Sequence, residues 1–536
     1  MKLKDFALLM FLQFLALFAV AIFQHSPGYM DADYYTIMGQ QVAHGTTAEP
    51  FIWNYLDDPQ GVPHPGFAYW QPLAAFLAAW GIRLMPSAAP FSAARIPFIL
   101  LALLIPALTA WLAYTLTRRR DLALFSGGLA IASGFYFPYL AVPDTFTPLM
   151  VLGALFFIIA GWPEAWHLDD IVRPWRWARK LLSRSLAKHA PFFLGVLAGL
   201  MHFARAEGFL WLLAAWGVLV LRRRKVLRSY VWVLIGYGVV MFPWMLRNLS
   251  VFGTPLSPGG LRTLWLTDYN ELYTYPASQL TFAHWWASGL KAILTARLKA
   301  AGTNLLTAWT VQGQILWLPF VLLGAWHTRS DRRVKIGLGM WLVLWVLMSA
   351  VFPFAGARGG FFHAGAALQP LFWALAPIGF AIALRPLARW RGWHLPQAQQ
   401  VLGWGLVAAT VLLTVLVVQR RVIGDFPTHP VWDKPARAYA ELGTGLHNLG
   451  IPNDALILVN NPPGFTLITG YPSLAVPNGD ADVVAEVARR YGARYWALES
   501  NHPKQQNHYY CHPTTVPEPW KVLGKVGYTP VFVLEH

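Results

Sequence analysis

Phe6-Ala7-Leu8-Leu9-Met10-Phe11-Leu12-Gln13-Phe14-Leu15-Ala16-Leu17-Phe18-Ala19-Val20-Ala21-Ile22-Phe23, followed closely by Tyr29-Met30-Asp31-Ala32-Asp33-Tyr34-Tyr35, is the stretch on which the reading of this chain turns. The apolar run is long enough to cross a bilayer. Lys2 and Lys4 before it resemble a signal peptide, but Gln24-His25-Ser26-Pro27 is a poor small-residue cleavage site. The run therefore reads as an uncleaved first transmembrane helix. Two carboxylates then stand at a membrane exit, in a chain with only 25 acidic residues among 536. That placement marks a chemical site.

The rest of the composition agrees with a membrane chain. Hydrophobic residues make up 56% and charged residues 12%, against about 25% charged in a soluble globular protein. The 27 Trp and 20 Tyr fit aromatic belts at the two interfaces. A net charge of +17 raises nucleic-acid binding, but the basic residues cluster in short connections between apolar runs, as membrane orientation requires. Cys511 is the single cysteine, so neither an internal disulfide nor a cysteine zinc site is available. No short-period repeat appears.

With a window of about 20 residues, about eleven candidate spans lie near 6–23, 94–116, 122–140, 146–162, 191–204, 208–221, 230–246, 309–326, 336–353, 364–384 and 400–418. The shorter run 72–85 reads as an interfacial or re-entrant helix. Alternate connections are basic: Arg118-Arg119-Arg120; Arg173, Arg176, Arg179, Lys180, Arg184 and Lys188; Arg222-Arg223-Arg224-Lys225; Arg329, Arg332, Arg333 and Lys335; Arg385, Arg389 and Arg391. With Lys2 and Lys4 they fall on one side, which the positive-inside rule makes cytoplasmic. The outer side then holds the loop 24–71, the turn of Asp144, the loop 247–303 and everything after about 422.

The expected fold is a polytopic α-helical membrane protein over 1–421, with a soluble α/β domain over 422–536. In that tail, helices are predicted over Lys434 to Leu449, stopped by Gly450, and over Asp480 to Tyr491, with Gly492 after it. Ala455 to Val459, Arg494 to Leu498 and Pro530 to Leu534 read as strands. Asn460-Asn461-Pro462-Pro463-Gly464 fits either a ligand loop or a plain strand-to-helix turn. No glycine-rich nucleotide loop is present.

On the outer side, Asp31 and Asp33 precede a short helix expected over Tyr34 to Ala43. Asp144 sits in the turn Val142-Pro143-Asp144-Thr145-Phe146. Two such turns can meet at a bundle's outer end, where Asp31, Asp33 and Asp144 could act as a general base or hold a divalent cation such as Mg or Mn. Arg205, Arg247 and Arg358 run against the positive-inside trend and suit a phosphate. Each residue also has a plainer role. Asp31, Asp33 or Asp144 could cap a helix. Arg205 and Glu207 could form an ion pair, and Arg247 could snorkel. His363 and His202 could be interfacial, and Asp57-Asp58-Pro59 a turn.

These segments together resemble the GT-C glycosyltransferases, of the kind related to protein O-mannosyltransferases and bacterial aminoarabinose transferases. The resemblance rests on Asp31-Ala32-Asp33-Tyr34-Tyr35 continuing through Ile37-Met38-Gly39-Gln40-Gln41-Val42-Ala43-His44-Gly45, on His64-Pro65-Gly66 with Pro72-Leu73, and on Pro143-Asp144-Thr145. Arg205-Ala206-Glu207-Gly208, Pro243 to Asn248 and Phe252-Gly253-Thr254-Pro255 extend it over roughly 1–420. It implies a polyprenyl-phosphate sugar donor and inverting transfer on the periplasmic or outer face of a membrane, expected to be a bacterial inner membrane; the basic connections place the N-terminus in the cytoplasm and the tail on the periplasmic or extracellular side. It implies a first-loop Asp as base, Asp31 before Asp33; Ala32 stands where the family has its second acid. Tyr34, Tyr35, His64, Arg205, Glu207, Arg247, Arg358 and His363 are the implied substrate-binding residues. The acceptor is a glycan, lipid or protein. Trp285-Trp286-Ala287-Ser288-Gly289 is superficially similar to the oligosaccharyltransferase signature but lacks its Asp, which sets that subgroup aside. The rival functions are a lipid-linked sugar flippase, for which transporter-like repeats are missing, and a non-catalytic membrane scaffold.

Overall fold

A computed structural model of the protein describes residues 1–161, 176–222 and 227–535, and for 176–188 the helical path alone. Arg173 and Arg223-Arg224-Lys225 lie outside the described residues, as do the side chains of Arg176, Arg179, Lys180, Arg184 and Lys188. The chain forms two compact units: Met1–Phe23, Arg95–Arg247 and Leu298–Gly424 make the first, and Gln24–Ala94, Asn248–Arg297 and Asp425–His536 the second.

The first unit is helical. Among the described residues six helices are long and apolar enough to cross a membrane: Leu3–Ala21, Pro90–Thr117, Leu227–Phe252, Arg332–Val351, Pro353–Arg391 and Leu395–Ile423. Phe146–Ala160, His189–Ala204, Ala206–Leu221 and Leu318–His327 are apolar but shorter. Two of the expected spans are interrupted. The run 122–140 divides into the helix Arg120–Ala132 and a 3-10 turn Gly134–Tyr139, because Ser133 and Gly134 take positive φ angles of 48° and 56°. The run 309–326 breaks where Gln314 and Ile315 do the same, at 45° and 63°. Apolar composition does not report such kinks, because the side chains stay lipid-compatible while the backbone turns.

Small residues set the closest helix contacts, as expected where apolar surface alone gives no driving force. A Cβ on Gly324 or Gly379 would run into the backbone of the facing helix, so Leu318–His327 and Gln369–Arg391 pack backbone to backbone.

Polar contacts divide this unit into two ends. At one, Arg120 pairs with buried Asp5 at 2.6 Å. Arg333 donates to Thr115 at 2.6 Å, and Arg222 to the carbonyl of Ala160 at 2.8 Å. At the other, buried Arg95 donates to the carbonyls of Ala141 at 3.1 Å and Ala21 at 3.2 Å. Arg120, Arg222 and Arg333, from three of the basic connections, therefore lie at the end where the first helix starts. The Asp144 turn sits where that helix stops.

The second unit is built on a six-stranded sheet. Its order is Phe51–Ile52, Ser473–Ala475, Ile457–Val459, Tyr495–Ala497, Thr529–Leu534 and Trp520–Val526. The first four strands run parallel, and Thr529–Leu534 is antiparallel to both of its neighbours. Alternation assigns the faces. Leu458, Trp496 and Phe532 pack with Val484, Ala485 and Ala488 of the helix Ala481–Tyr491. Ile457, Val459 and Ala497 pack with Tyr439, Leu442 and Leu446 of Lys434–Asn448. The edge strand Phe51–Ile52 comes from the first loop and pairs Phe51 with Ser473.

The same unit holds the helices Met30–Ala43 and Leu73–Leu84. Arg83 on the second donates to the carbonyls of Val42 and Ala43, at 2.9 and 3.2 Å, and so closes the end of the first.

Candidate active site

In the helical unit the site is the turn before Phe146–Ala160. Asp144 is buried at 1% exposure. Its carboxylate accepts from the backbone N–H of Thr145 and from the Thr145 hydroxyl, the latter at 3.2 Å. His363 brings Nδ1 to 3.6 Å from Asp144 Oδ1 and 3.3 Å from Thr145 Oγ1. The His363 ring stacks on Phe146, centroids 3.9 Å apart. The stacked, buried ring holds one nitrogen against a buried carboxylate. A buried carboxylate beside an imidazole can bind a cation or move a proton.

The expected cations fall into three settings. Arg205 pairs with Glu207 at the start of the 3-10 turn Ala206–Phe209, the structural ion pair weighed from sequence. The Arg247 guanidinium lies 4.9 Å from the Trp244 ring centroid. Arg358 is exposed in the kinked segment Gly356–Gly360, where Gly359 has φ 130°.

In the second unit the acidic helix begins at Met30, not Tyr34, with Tyr29 as its N-cap. Asp31 and Asp33 are thus in the first helical turn, where the macrodipole favours carboxylates. This corrects the expectation that both precede the helix and can face one ligand, since residues two apart in a helix do not share a face. Neither is the N-cap side chain. Asp31 is partly exposed. Asp33, at 5% exposure, turns inward and accepts from Asn461 Nδ2 at 3.2 Å. Burial pushes its carboxyl up to about 7, with the charge of Asp31 adding to that rise and the Asn461 hydrogen bond opposing it.

Asn461 and the residues around it form a buried polar group that the sequence flagged only as a loop. Asn461 caps the helix Pro462–Thr469, accepting from Gly464 N–H at 3.3 Å. The Tyr439 phenol lies beside both Asn461 and Glu499. Glu499 accepts from the Asn460 N–H at 2.8 Å. Burial lifts Glu499 to about 7 against the hydrogen bonds from Asn460 and Tyr439.

His64, Tyr34 and Tyr35 face inward. His64 is held between Asp57 at 2.8 Å and Glu49 at 3.4 Å. Burial works against its charged form, but the hydrogen bonds to Asp57 and Glu49 outweigh it and hold the imidazole up at about 10. Tyr34 donates to Glu49 Oε1 at 2.6 Å and lies against Trp70, centroids 4.1 Å apart. Tyr35 is 1% exposed. These three build the first loop's core. Asp58 closes the expected turn with φ 52° and pairs with Arg262 at 2.6 Å. His202 sits at 5% exposure.

Sequence reasoning missed Arg95, Asp433, Tyr439 and Glu499. Asp433 accepts from Ser26 Oγ at 2.7 Å and meets His25 Nδ1 at 2.7 Å, tying residues about four hundred apart in sequence. Only distance in space links these groups, so no local pattern announces them.

No family model matches the chain. No curated protein matches it by sequence. Solved structures do share its fold. ArnT from Cupriavidus metallidurans bound to undecaprenyl phosphate is similar at 14% identity and TM-score 0.52, over 98% of this chain and 97% of that one. The Archaeoglobus fulgidus oligosaccharyltransferase AglB, in complex with an inhibitory peptide and a dolichol-phosphate, is similar at 11% identity and TM-score 0.53, over 94% of this chain and 71% of that one. The A. fulgidus oligosaccharyltransferase in complex with Zn and sulfate is similar at 10% identity and TM-score 0.53, over 95% and 70%. The chain has the fold of the GT-C glycosyltransferases.

Proposed function

We propose that the protein is a membrane glycosyltransferase that moves a sugar from a polyprenyl-phosphate donor to an acceptor on the periplasmic face, with inversion. The observation that carries this reading is the fold, shared along almost the whole length with ArnT. The lipid phosphates bound by ArnT and AglB support the donor class. In this reading residues 1–421 are the catalytic membrane part and 422–536 an extracytoplasmic part, in a bacterial inner membrane.

Asp31 is the general base. Its partial exposure leaves the carboxylate reachable, whereas Asp33 is buried and engaged with Asn461. Asp31 takes the proton of an acceptor hydroxyl or amine. That oxygen or nitrogen forms a bond to the anomeric carbon as the bond to the lipid-phosphate oxygen breaks, and polyprenyl phosphate leaves with the electron pair. Arg205, Arg247 and Arg358 are the candidates to steady the departing phosphate. Asp144 and His363 offer one oxygen and one nitrogen donor, a set that suits Mn or Zn better than Mg, which prefers oxygen ligands. A divalent ion bound there supplies Lewis-acid stabilisation of phosphate charge.

The test is transfer of a radiolabelled polyprenyl-phosphate sugar by the purified protein in proteoliposomes. Label on an acceptor supports the reading; label that changes leaflet unchanged replaces it with a flippase. Asp31→Asn is expected to lower kcat by about 10² to 10⁴. Wild-type rates in that variant would remove Asp31 as the base.

A further inference from the structure

The parallel part of the sheet contains a switch in direction. From the strand Ile457–Val459 the chain crosses to Ser473–Ala475 on one side, then returns to Tyr495–Ala497 on the other. In open α/β sheets such a reversal opens a crevice at the carboxyl ends of the strands, and ligands bind there. Here Asn460 and Asn461 follow one flanking strand, and Glu499 follows the other by two residues.

What the crevice residues hold is a side chain of the first loop. Asn461 aims its amide N–H at Asp33 Oδ2, 3.2 Å away, while its carbonyl oxygen takes the Gly464 N–H. Both ends of the amide are used, so its orientation is fixed. The Tyr439 phenol lies beside Asn461 and Glu499, and Glu499 is anchored by the Asn460 N–H. There is no room for slack. A Cβ on Gly464 would lie 2.5 Å from Asn461 Nδ2, 2.6 Å from Asp33 Oδ2 and 3.1 Å from the Tyr439 ring.

We propose that this crevice is a socket for the acidic helix, and that Asn461, Tyr439 and Glu499 are positioning residues that fix the direction of Asp31 by holding Asp33 one half-turn away. The inference rests on the transferase reading only for its catalytic consequence; the socket itself stands on the contacts above. Asp33 is then a positioning residue, and the tail is a working part of the site instead of an appended module. A base displaced by about 1 Å can cost as much as 10²-fold in rate without loss of substrate binding.

The experiment uses the full chain in nanodiscs, with hydrogen exchange of Met30–Ala43 and transfer from a radiolabelled polyprenyl-phosphate sugar measured on the same samples. Asn461→Ala and Asn461→Asp should speed exchange in that helix. They should lower kcat by about 10-fold or more while leaving the donor KM near wild type. The exchanged pair Asp33→Asn with Asn461→Asp again sets one carboxylate against one amide, and should recover slow exchange and much of kcat. Well-folded Asn461→Asp protein with wild-type exchange and kcat would overturn the proposal, as would a swapped pair no better than Asn461→Asp. If wild type itself transfers no sugar, the transferase reading fails, and the exchange arm still decides the socket.

Discussion

Two buried carboxylate sites in the same compact unit solve the same problem in opposite ways. Around His64, Glu49 and Asp57 face a single imidazole, and the partner is cationic. Around Asn461, Asp33 and Glu499 face an amide and a phenol, and the partners are neutral. Both sites pay for desolvation. A cation nearby lets carboxylates stay charged, while neutral donors offset only part of the cost. So His64 is lifted to about 10, and Asp33 and Glu499 are lifted to about 7. The first arrangement is a permanent lock. The second sits where a proton is easily gained or lost.

Removing the cation should break this contrast most. His64→Ala leaves two carboxylates buried without their counter-charge, and a cost of about 3–5 kcal/mol is expected. It should appear as a large fall in apparent Tm in detergent. A smaller loss comparable to a surface substitution would mean that the two acids are solvated or protonated already.

The pH dependence should separate the sites next. His64 has a folded pKa above its ordinary value, so its contribution is complete below the ordinary imidazole range and is lost as pH rises towards about 10. Asp33 and Glu499 are raised acids, so the folded state keeps protons that the unfolded chain has released. Their site therefore loses stability as pH rises from the ordinary carboxylate range to about 7. Apparent Tm recorded against pH should show the lower step in wild type. Asp33→Asn or Glu499→Gln should flatten it and leave the alkaline step in place.

Gly464→Ala probes the tighter packing of the neutral site. The added methyl meets Asn461 and Asp33, and a loss of about 1–3 kcal/mol is expected. Wild-type stability would show that the loop yields. Arg83→Ala acts at the opposite end of the acidic helix, where exposed Arg83 bonds the terminal carbonyls. Its effect should be the smallest, at most about 1 kcal/mol, and confined to exchange near Val42 and Ala43.

Much of the architecture was legible where the signal is local. The first run became Leu3–Ala21, and the last became part of Leu395–Ile423, because about twenty apolar residues have few other uses. The helix expected from Asp480 appears as Ala481–Tyr491, with Asp480 accepting from Asp482 N–H at 3.2 Å and Gly492 at φ 76°. Lys434–Asn448 and the strands near 457, 495 and 531 were equally visible.

What stayed hidden depends on distance in space. Ser473–Ala475 and Phe51–Ile52 are too short to announce themselves, and Phe51–Ile52 is a strand only because Ser473–Ala475 is there to pair with it. The acidic helix starts at Met30 and not at Tyr34, because the first turn of a helix favours the two carboxylates that local polarity assigns to a loop. The choice between Asp31 and Asp33 could not be read from spacing, since it turns on Asn461, 428 positions away from Asp33.

The pairing of Phe51 with Ser473 also sets an order of events during synthesis. More than four hundred residues separate the two strands, a delay of about 20–80 s at ~5–20 residues per second. Over that time the first loop waits for its neighbour. Conversely, a fragment of 425–536 made alone would carry Ser473–Ala475 as a bare edge, its N–H and C=O groups open to other chains. Self-association of that fragment, relieved when the first loop is supplied, would be the mark of one compact unit stitched from segments far apart in the chain.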